Sequence, residues 1–249
     1  MSSECTLITG ASSAIGQVIA RRLAATRRLV LHGRDGAKLE HLRESCAESA
    51  RHTIWTQDLS NLTETGSGLA DLLTGRGILV DSLVHCAATL ELRAFRLVKP
   101  ERELDVFTVN VFSAMEIVRV LRRQKPNRAS LTNIVLISSA ASRFGDKGNA
   151  VYTATKGALD AFMKSLAIEL APAARVNSIL PGMIDEGMSQ VTLQLPGYET
   201  TVRQNYPLGI GKASHIAGAA EFLLSPESCW ITGQQFMVDG GFSAHGNHV

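Results

Sequence analysis

Tyr152 and Lys156 stand four residues apart in the stretch YTATK, and Ser139 precedes them in ISSAAS. Together these side chains suit proton transfer at a carbonyl or alcohol oxygen. In a helix that spacing puts phenol and ammonium one turn apart on the same face. A phenol has a reference pKa of about 10, too high for efficient acid–base work near neutrality. A neighbouring cation favours the phenolate, which predicts a lowered value for Tyr152. Ser139 can then hydrogen-bond a carbonyl while Tyr152 supplies or removes its proton. Ser138 is expected to be structural, because strand alternation points it away from Ser139. Carbonyl redox chemistry also needs a hydride, which no side chain provides.

The elements that must position these groups begin at the N-terminus. Cys5 to Thr9 reads as a short strand, GASSAIG follows as a turn, and VIARRLAA has helical composition and spacing. Strand, glycine turn and helix put backbone amides and a helix N-terminus against a pyrophosphate. Gly10 allows the tight turn, Gly16 close helix packing, and Ser12 and Ser13 add hydroxyl donors. The pattern is not G-x-G-x-x-G, and an ordinary strand-to-helix turn is the competing reading. Strand-like runs near residues 5, 29, 53, 82, 133, 176 and 236 alternate with helical segments. That order predicts an α/β fold, doubly wound, with a mostly parallel seven-stranded sheet and helices on both faces.

Taken together, these residues resemble the short-chain dehydrogenase/reductase family, a Rossmann-type NAD(P)-binding fold, over essentially the whole chain. The family's TGxxxGxG is present as TGASSAIG, with Ala14 in place of the middle glycine, and its NNAG as HCAA, His85 to Ala88. The resemblance implies an Asn110, Ser139, Tyr152, Lys156 tetrad. Asn110 would interrupt a long helix and anchor a water in a proton relay, and Lys156 would also bind the nicotinamide ribose. Asp58 would hold the adenine amino group, although a turn or capping role fits it equally. Ile15, Leu59 and Ala87 would line the cofactor, and Pro181, Gly182 and the backbone of Ile184 would contact the carboxamide. Pro-S hydride delivery is likewise implied by the resemblance alone. Glu186 departs from the pattern: it stands where relatives often carry a threonine facing the pyrophosphate, and a carboxylate there repels phosphate unless it turns away. His85 is expected to hydrogen-bond within the sheet.

The choice of nicotinamide cofactor falls at the end of the second strand, LVLHGRD. A carboxylate there holds the 2'-hydroxyl of NAD, whereas a nearby arginine accommodates the 2'-phosphate of NADP. Gly33 followed by Arg34 leaves room and charge for phosphate, so NADP(H) is favoured over NAD(H). Asp35 reaches the ribose only if the turn shifts.

A chain of 249 residues, 45% hydrophobic, can bury a large core as one domain, residues 1–249. The formal net charge of +2 argues against bulk nucleic-acid attraction. Cysteines 5, 46, 86 and 229 lack metal or disulfide spacing, which suggests a reducing compartment. No apolar run is long enough to span a bilayer and no signal segment precedes the first strand, so a soluble, cytoplasmic protein is expected. The irregular stretch 183–211 reads as a substrate lid. Its Met183, Met188, Leu193, Leu195 and Tyr198 either line an apolar pocket or pack the lid onto its own domain.

Within the family the chain looks similar to bacterial 3-oxoacyl-acyl-carrier-protein reductases, which implies a β-keto thioester on an acyl carrier protein. Two basic groups would suit an acidic carrier: Arg119, Arg122, Arg123, Lys125 and Arg128, and Arg93, Arg96 and Lys99. Solvated helix ends explain them equally. A second reading is redox of a free small ketone, secondary alcohol or sugar. A third, a non-catalytic NADP sensor, has no use for the acid–base group. The resemblance also implies a homotetramer or dimer built on the helices that carry Tyr152 and Asn110.

Overall fold

The computed structural model describes residues 4–145, 147–193 and 204–244. Seven strands run Cys5–Thr9 (β1), Arg28–Gly33 (β2), Thr53–Thr56 (β3), Ser82–His85 (β4), Asn133–Ile137 (β5), Arg175–Pro181 (β6) and Gln235–Val238 (β7). They form one parallel sheet in the order β3-β2-β1-β4-β5-β6-β7. The longer helices are Ala14–Leu23 (α1), Gly36–Ser45 (α2), Leu62–Arg76 (α3), Pro100–Phe107 (α4), Ser113–Leu121 (α5), Ala150–Leu170 (α6) and Ala213–Leu224 (α7).

The strands are apolar on both sides, as a sheet covered twice requires. Leu7, Leu83 and Ile134 join a core with Leu69 and Leu73 of α3, Ile117 of α5 and Met163 of α6. Their strand neighbours Ile8, Val84 and Val135 point the other way, onto Ile19 of α1, Leu39 of α2 and Ile216 of α7. The period of two divides the apolar residues between two cores, with the sheet as the middle layer.

The strand order turns back at β1, so the crevice between the ends of β1 and β4 is the topological switch point. Because all the strands run parallel, the residues after each one gather along a single edge. Gly10 follows β1, Arg34 β2, Asp58 β3, Ala87 β4, Ser139 β5 and Gly182 β6. The sheet thus brings together candidates spread over more than two-thirds of the chain.

Candidate active site

At the switch point the glycine turn is built for close approach. Gly10 has φ +62°, and a Cβ there would lie 2.8 Å from the backbone of Ala87. A Cβ on Gly16 would lie 2.3 Å from the Gly10 carbonyl oxygen. Ser13 caps α1, its hydroxyl accepting from the Gly16 amide at 3.1 Å. The amides of Ala14 and Ile15, at the first two helical positions, have no acceptor within the helix. Such a donor set at a positive helix end suits a pyrophosphate. Ala14 points its methyl at the loop after β6, where a Cβ on Gly187 would come within 3.0 Å of it.

Two residues that sequence reasoning passed over hold this turn. His32 accepts from the Gly10 amide at 3.3 Å, and its other ring nitrogen donates to the Gln57 carbonyl at 3.1 Å. One buried ring thus ties the glycine turn to the segment that carries Asp58, and burial lowers its pKa to about 4. Thr9 accepts from the Ala87 amide at 3.2 Å and bonds His85 Nδ1 at 2.9 Å. His85 does make its hydrogen bond within the sheet, and burial lowers its pKa to about 3. The signal in the sequence was slight: polar residues ending otherwise apolar strands.

Toward the second strand, Gly33 is buried and a Cβ there would sit 3.0 Å from Ser12 Oγ. Arg34 is exposed. Asp35 caps α2, accepting from the Lys38 amide at 3.1 Å and pairing with the Lys38 ammonium at 3.6 Å, so the shifted turn does not occur. Asp58 accepts from the Ser60 amide at 2.9 Å, and that bond, with Arg34 adding to it, holds the carboxyl below its usual range. Leu59 buries its side chain in the core. Glu186 turns away from the helix end: its carboxylate accepts from the Ala213 amide at 3.4 Å, at the start of α7.

The tetrad comes together from three elements. Asn110 is fully buried in a π-turn, Thr108–Phe112, which interrupts the run from α4 to α5. Its side chain accepts from the Thr89 amide at 2.7 Å and donates to the Thr89 carbonyl and to Thr155 Oγ1, each at 3.0 Å. Thr155 in turn donates to the Tyr152 carbonyl at 2.7 Å, joining Asn110 to the helix of Tyr152. Ser139 accepts from the Ala141 amide at 3.2 Å, and its hydroxyl lies close enough to the Tyr152 phenol to favour the phenolate. Ser138 turns its hydroxyl to the Lys156 carbonyl at 3.4 Å, a structural bond.

The expected lowering of the Tyr152 pKa is corrected by this geometry. Burial pushes it up to about 12, with only the Ser139 hydrogen bond working the other way. Lys156 donates to the Ile137 carbonyl at 2.8 Å, and its Nζ lies 5.5 Å from the phenol ring centroid. The cation thus lies between the strand carbonyl and the Tyr152 ring. Burial in turn brings Lys156 down to about 8.

Part of the stretch after β6 packs onto its own domain. Leu193 and Tyr206 are buried with Met183, Ile210 and Phe242, and the Tyr206 hydroxyl accepts from the Met183 amide at 2.9 Å. Met188 is exposed, and Leu195 and Tyr198 lie outside the described residues. Ile184 pairs with Gly211 in an isolated bridge, and Pro181 and Gly182 lead into this stretch, with Gly182 packed against Asp239.

Comparison with known proteins agrees with this arrangement. The family model described as Enoyl-(Acyl carrier protein) reductase matches residues 10–243. The L-xylulose reductase of Bos taurus is 34% identical over 241 residues, 96% of each chain. The D-erythrulose reductase of Gallus gallus is 31% identical over 239 residues, 95% of this chain and 94% of its own. An actinorhodin polyketide ketoreductase variant solved with NADPH superposes with a TM-score of 0.87 at 27% identity, covering 98% of both chains. The protein belongs to the short-chain dehydrogenase/reductase family and is an NAD(P)(H) oxidoreductase acting on CH–OH groups. Among the described residues no helix is long and apolar enough to cross a membrane.

Proposed function

We propose that this protein uses NADPH to reduce the carbonyl of a free, small ketone bearing hydroxyl groups, such as a ketose, to the secondary alcohol. The observation that carries the reading is the half-buried Tyr152 phenol beside Ser139, at the sheet edge next to the switch point. A phenol held neutral up to about 12 is poised to donate, as reduction requires. In this reading Ser139 and Tyr152 hold the carbonyl oxygen, and Tyr152 gives its proton to that oxygen as the alcohol forms. Lys156 then passes a proton back to Tyr152 and is itself reprotonated from solvent through a water held by Asn110. When bound, the cofactor supplies the hydride.

The residues present fit such a cofactor. Gly10, Ser12, Ser13, Ile15 and Gly16 would hold the pyrophosphate, and Asp58, the backbone of Leu59 and Ala87 the adenine side. Pro181, Gly182 and Ile184 would meet the carboxamide, and Lys156 the ribose. NADP(H) is favoured over NAD(H) because Arg34 is free of any cap while Asp35 is engaged at α2.

The free-substrate reading is supported by relatives named for ketoses and by the state of the basic groups. Arg119 pairs with Glu116 and Arg93 with Glu91, while Arg122 donates to the Leu131 carbonyl. These three of the eight cations, engaged locally, offer less to an acidic carrier protein. Assembly as a homotetramer or dimer is part of the reading, and exposed Leu104 on α4, Phe112 in the π-turn and Ile168 on α6 suit it.

The test is NADPH and NADH oxidation with L-xylulose and D-erythrulose, set beside an acetoacetyl thioester presented as a small thioester and on an acyl carrier protein. Turnover of the ketoses with NADPH is expected. Turnover confined to the carrier-bound thioester would overturn the free-substrate reading, and none with any substrate would overturn the reductase reading.

A further inference from the structure

Four residues beyond Lys156, on the same face of α6, stands Asp160. It is 4% exposed, and among the described residues neither of its carboxylate oxygens has a hydrogen-bond partner. A carboxylate taken out of water without hydrogen bonds is costly unless an opposite charge offsets it. Lys156, 2% exposed, is a cation in the same position: among the described residues its ammonium has one acceptor, the Ile137 carbonyl. The two costs offset each other when the groups share one buried face.

The ionisable neighbours of Lys156 narrow the source of that compensation. Its own helix offers Tyr152 and Asp160, and the end of β4 offers His85 and Cys86. From β5 the contacts are a carbonyl and the Ser138 hydroxyl, neither of which ionises. Tyr152 and Cys86 are both pushed up to about 12 by burial and so carry no charge near neutrality. His85 is likewise neutral, held down to about 3. Among these neighbours Asp160 is the one carboxyl group.

We propose that Asp160 is a positioning residue for the reaction, its buried carboxylate being the counter-charge that keeps Lys156 an ammonium. The proposal rests on the reading of Lys156 as a member of the acid–base group. Burial drives Lys156 toward the neutral amine, and the neighbouring Cys86 and Asp160 oppose it, Asp160 being the carboxyl of the two. A neutral amine would hold the proton relay and the ribose less well than an ammonium.

The test follows the charge itself. Protein labelled at lysine Cε is titrated by carbon NMR, with Lys156 assigned by the signal lost in Lys156→Ala. The variants are Asp160→Asn, which keeps the shape and removes the charge, and Asp160→Glu, which restores it. In Asp160→Asn the Lys156 midpoint is expected to fall by about one pH unit or more. The high-pH limb of kcat should fall with it, and both should return toward the wild-type position in Asp160→Glu. Should Asp160→Asn fail to fold, Asp160→Ser is read the same way. A Lys156 midpoint that does not move overturns the proposal, as does a moved midpoint without a matching change in the pH profile. Full turnover in Lys156→Ala is a different result, because it removes Lys156 from the acid–base group whatever Asp160 does.

Discussion

At the scale of single residues the proposed proton donor, Tyr152, is a phenol that burial keeps neutral beside Ser139. Tyr152→Phe removes one oxygen and little else. Turnover should fall by about 10²-fold or more, while NADPH affinity, read by fluorescence titration, should stay close to wild type. Retained turnover would take Tyr152 out of the role of acid. The cofactor preference is a second residue-scale matter. Arg34 is exposed, and in the proposed reading it meets the 2'-phosphate, where a hydrogen bond between charged groups contributes about 1.5–3 kcal/mol. Arg34→Asp should therefore lower the NADPH to NADH ratio of kcat/KM by about tenfold to a hundredfold. An unchanged ratio would assign the 2'-phosphate to another group.

Elements decide how tightly these residues are held. α1 meets the sheet through Gly16, whose missing side chain lets the helix lie on the Gly10 carbonyl. Helix propensity alone favours Gly16→Ala by about 1 kcal/mol. The 2.3 Å approach of the new Cβ to backbone predicts the opposite sign, a loss of about 1–3 kcal/mol as the turn is forced open. Denaturant unfolding distinguishes the two outcomes, and a stabilised variant would mean that the turn yields freely. At the other end of the site the π-turn between α4 and α5 swings Asn110 inward, where both ends of its amide meet the Thr89 backbone. A regular helix through the same residues would carry that side chain around to a different angle.

For the whole molecule, the buried histidines set the response to acid. His32 and His85 are held neutral by burial, at about 4 and about 3, and His52 is lowered in the same direction. Below the ordinary histidine value of about 6.5, the unfolded chain binds protons that the folded one refuses. Stability is therefore full above that value and falls as the pH falls, by up to about 1.4 kcal/mol per pH unit for each histidine. Denaturant melts between neutral pH and about pH 5 should show this slope. His85→Asn, which keeps a group able to bond Thr9, should make it shallower. A slope unchanged by that variant would place the acid sensitivity elsewhere.

The strands were legible because each ends on, or is followed by, a turn or polar residue and each is apolar on both faces, a pattern that backbone alternation imposes locally. The glycine turn and the Ser139, Tyr152, Lys156 spacing were legible for the same reason, since contacts within a turn or one helical turn depend on neighbours in the chain. Side chains whose partners are distant in sequence were not. Glu186 turned from the helix end to cap α7, His32 joined the Gly10 turn to Gln57, and Leu193 packed beside Tyr206. The Tyr152 pKa went up rather than down because burial, a property of the assembled sheet and helices, outweighed a cation only one turn away. Sequence by itself determined which groups are present and how each element is spaced. Tertiary structure alone decided which way those groups face and how much water they keep, because direction and desolvation depend on packing between elements far apart in the chain.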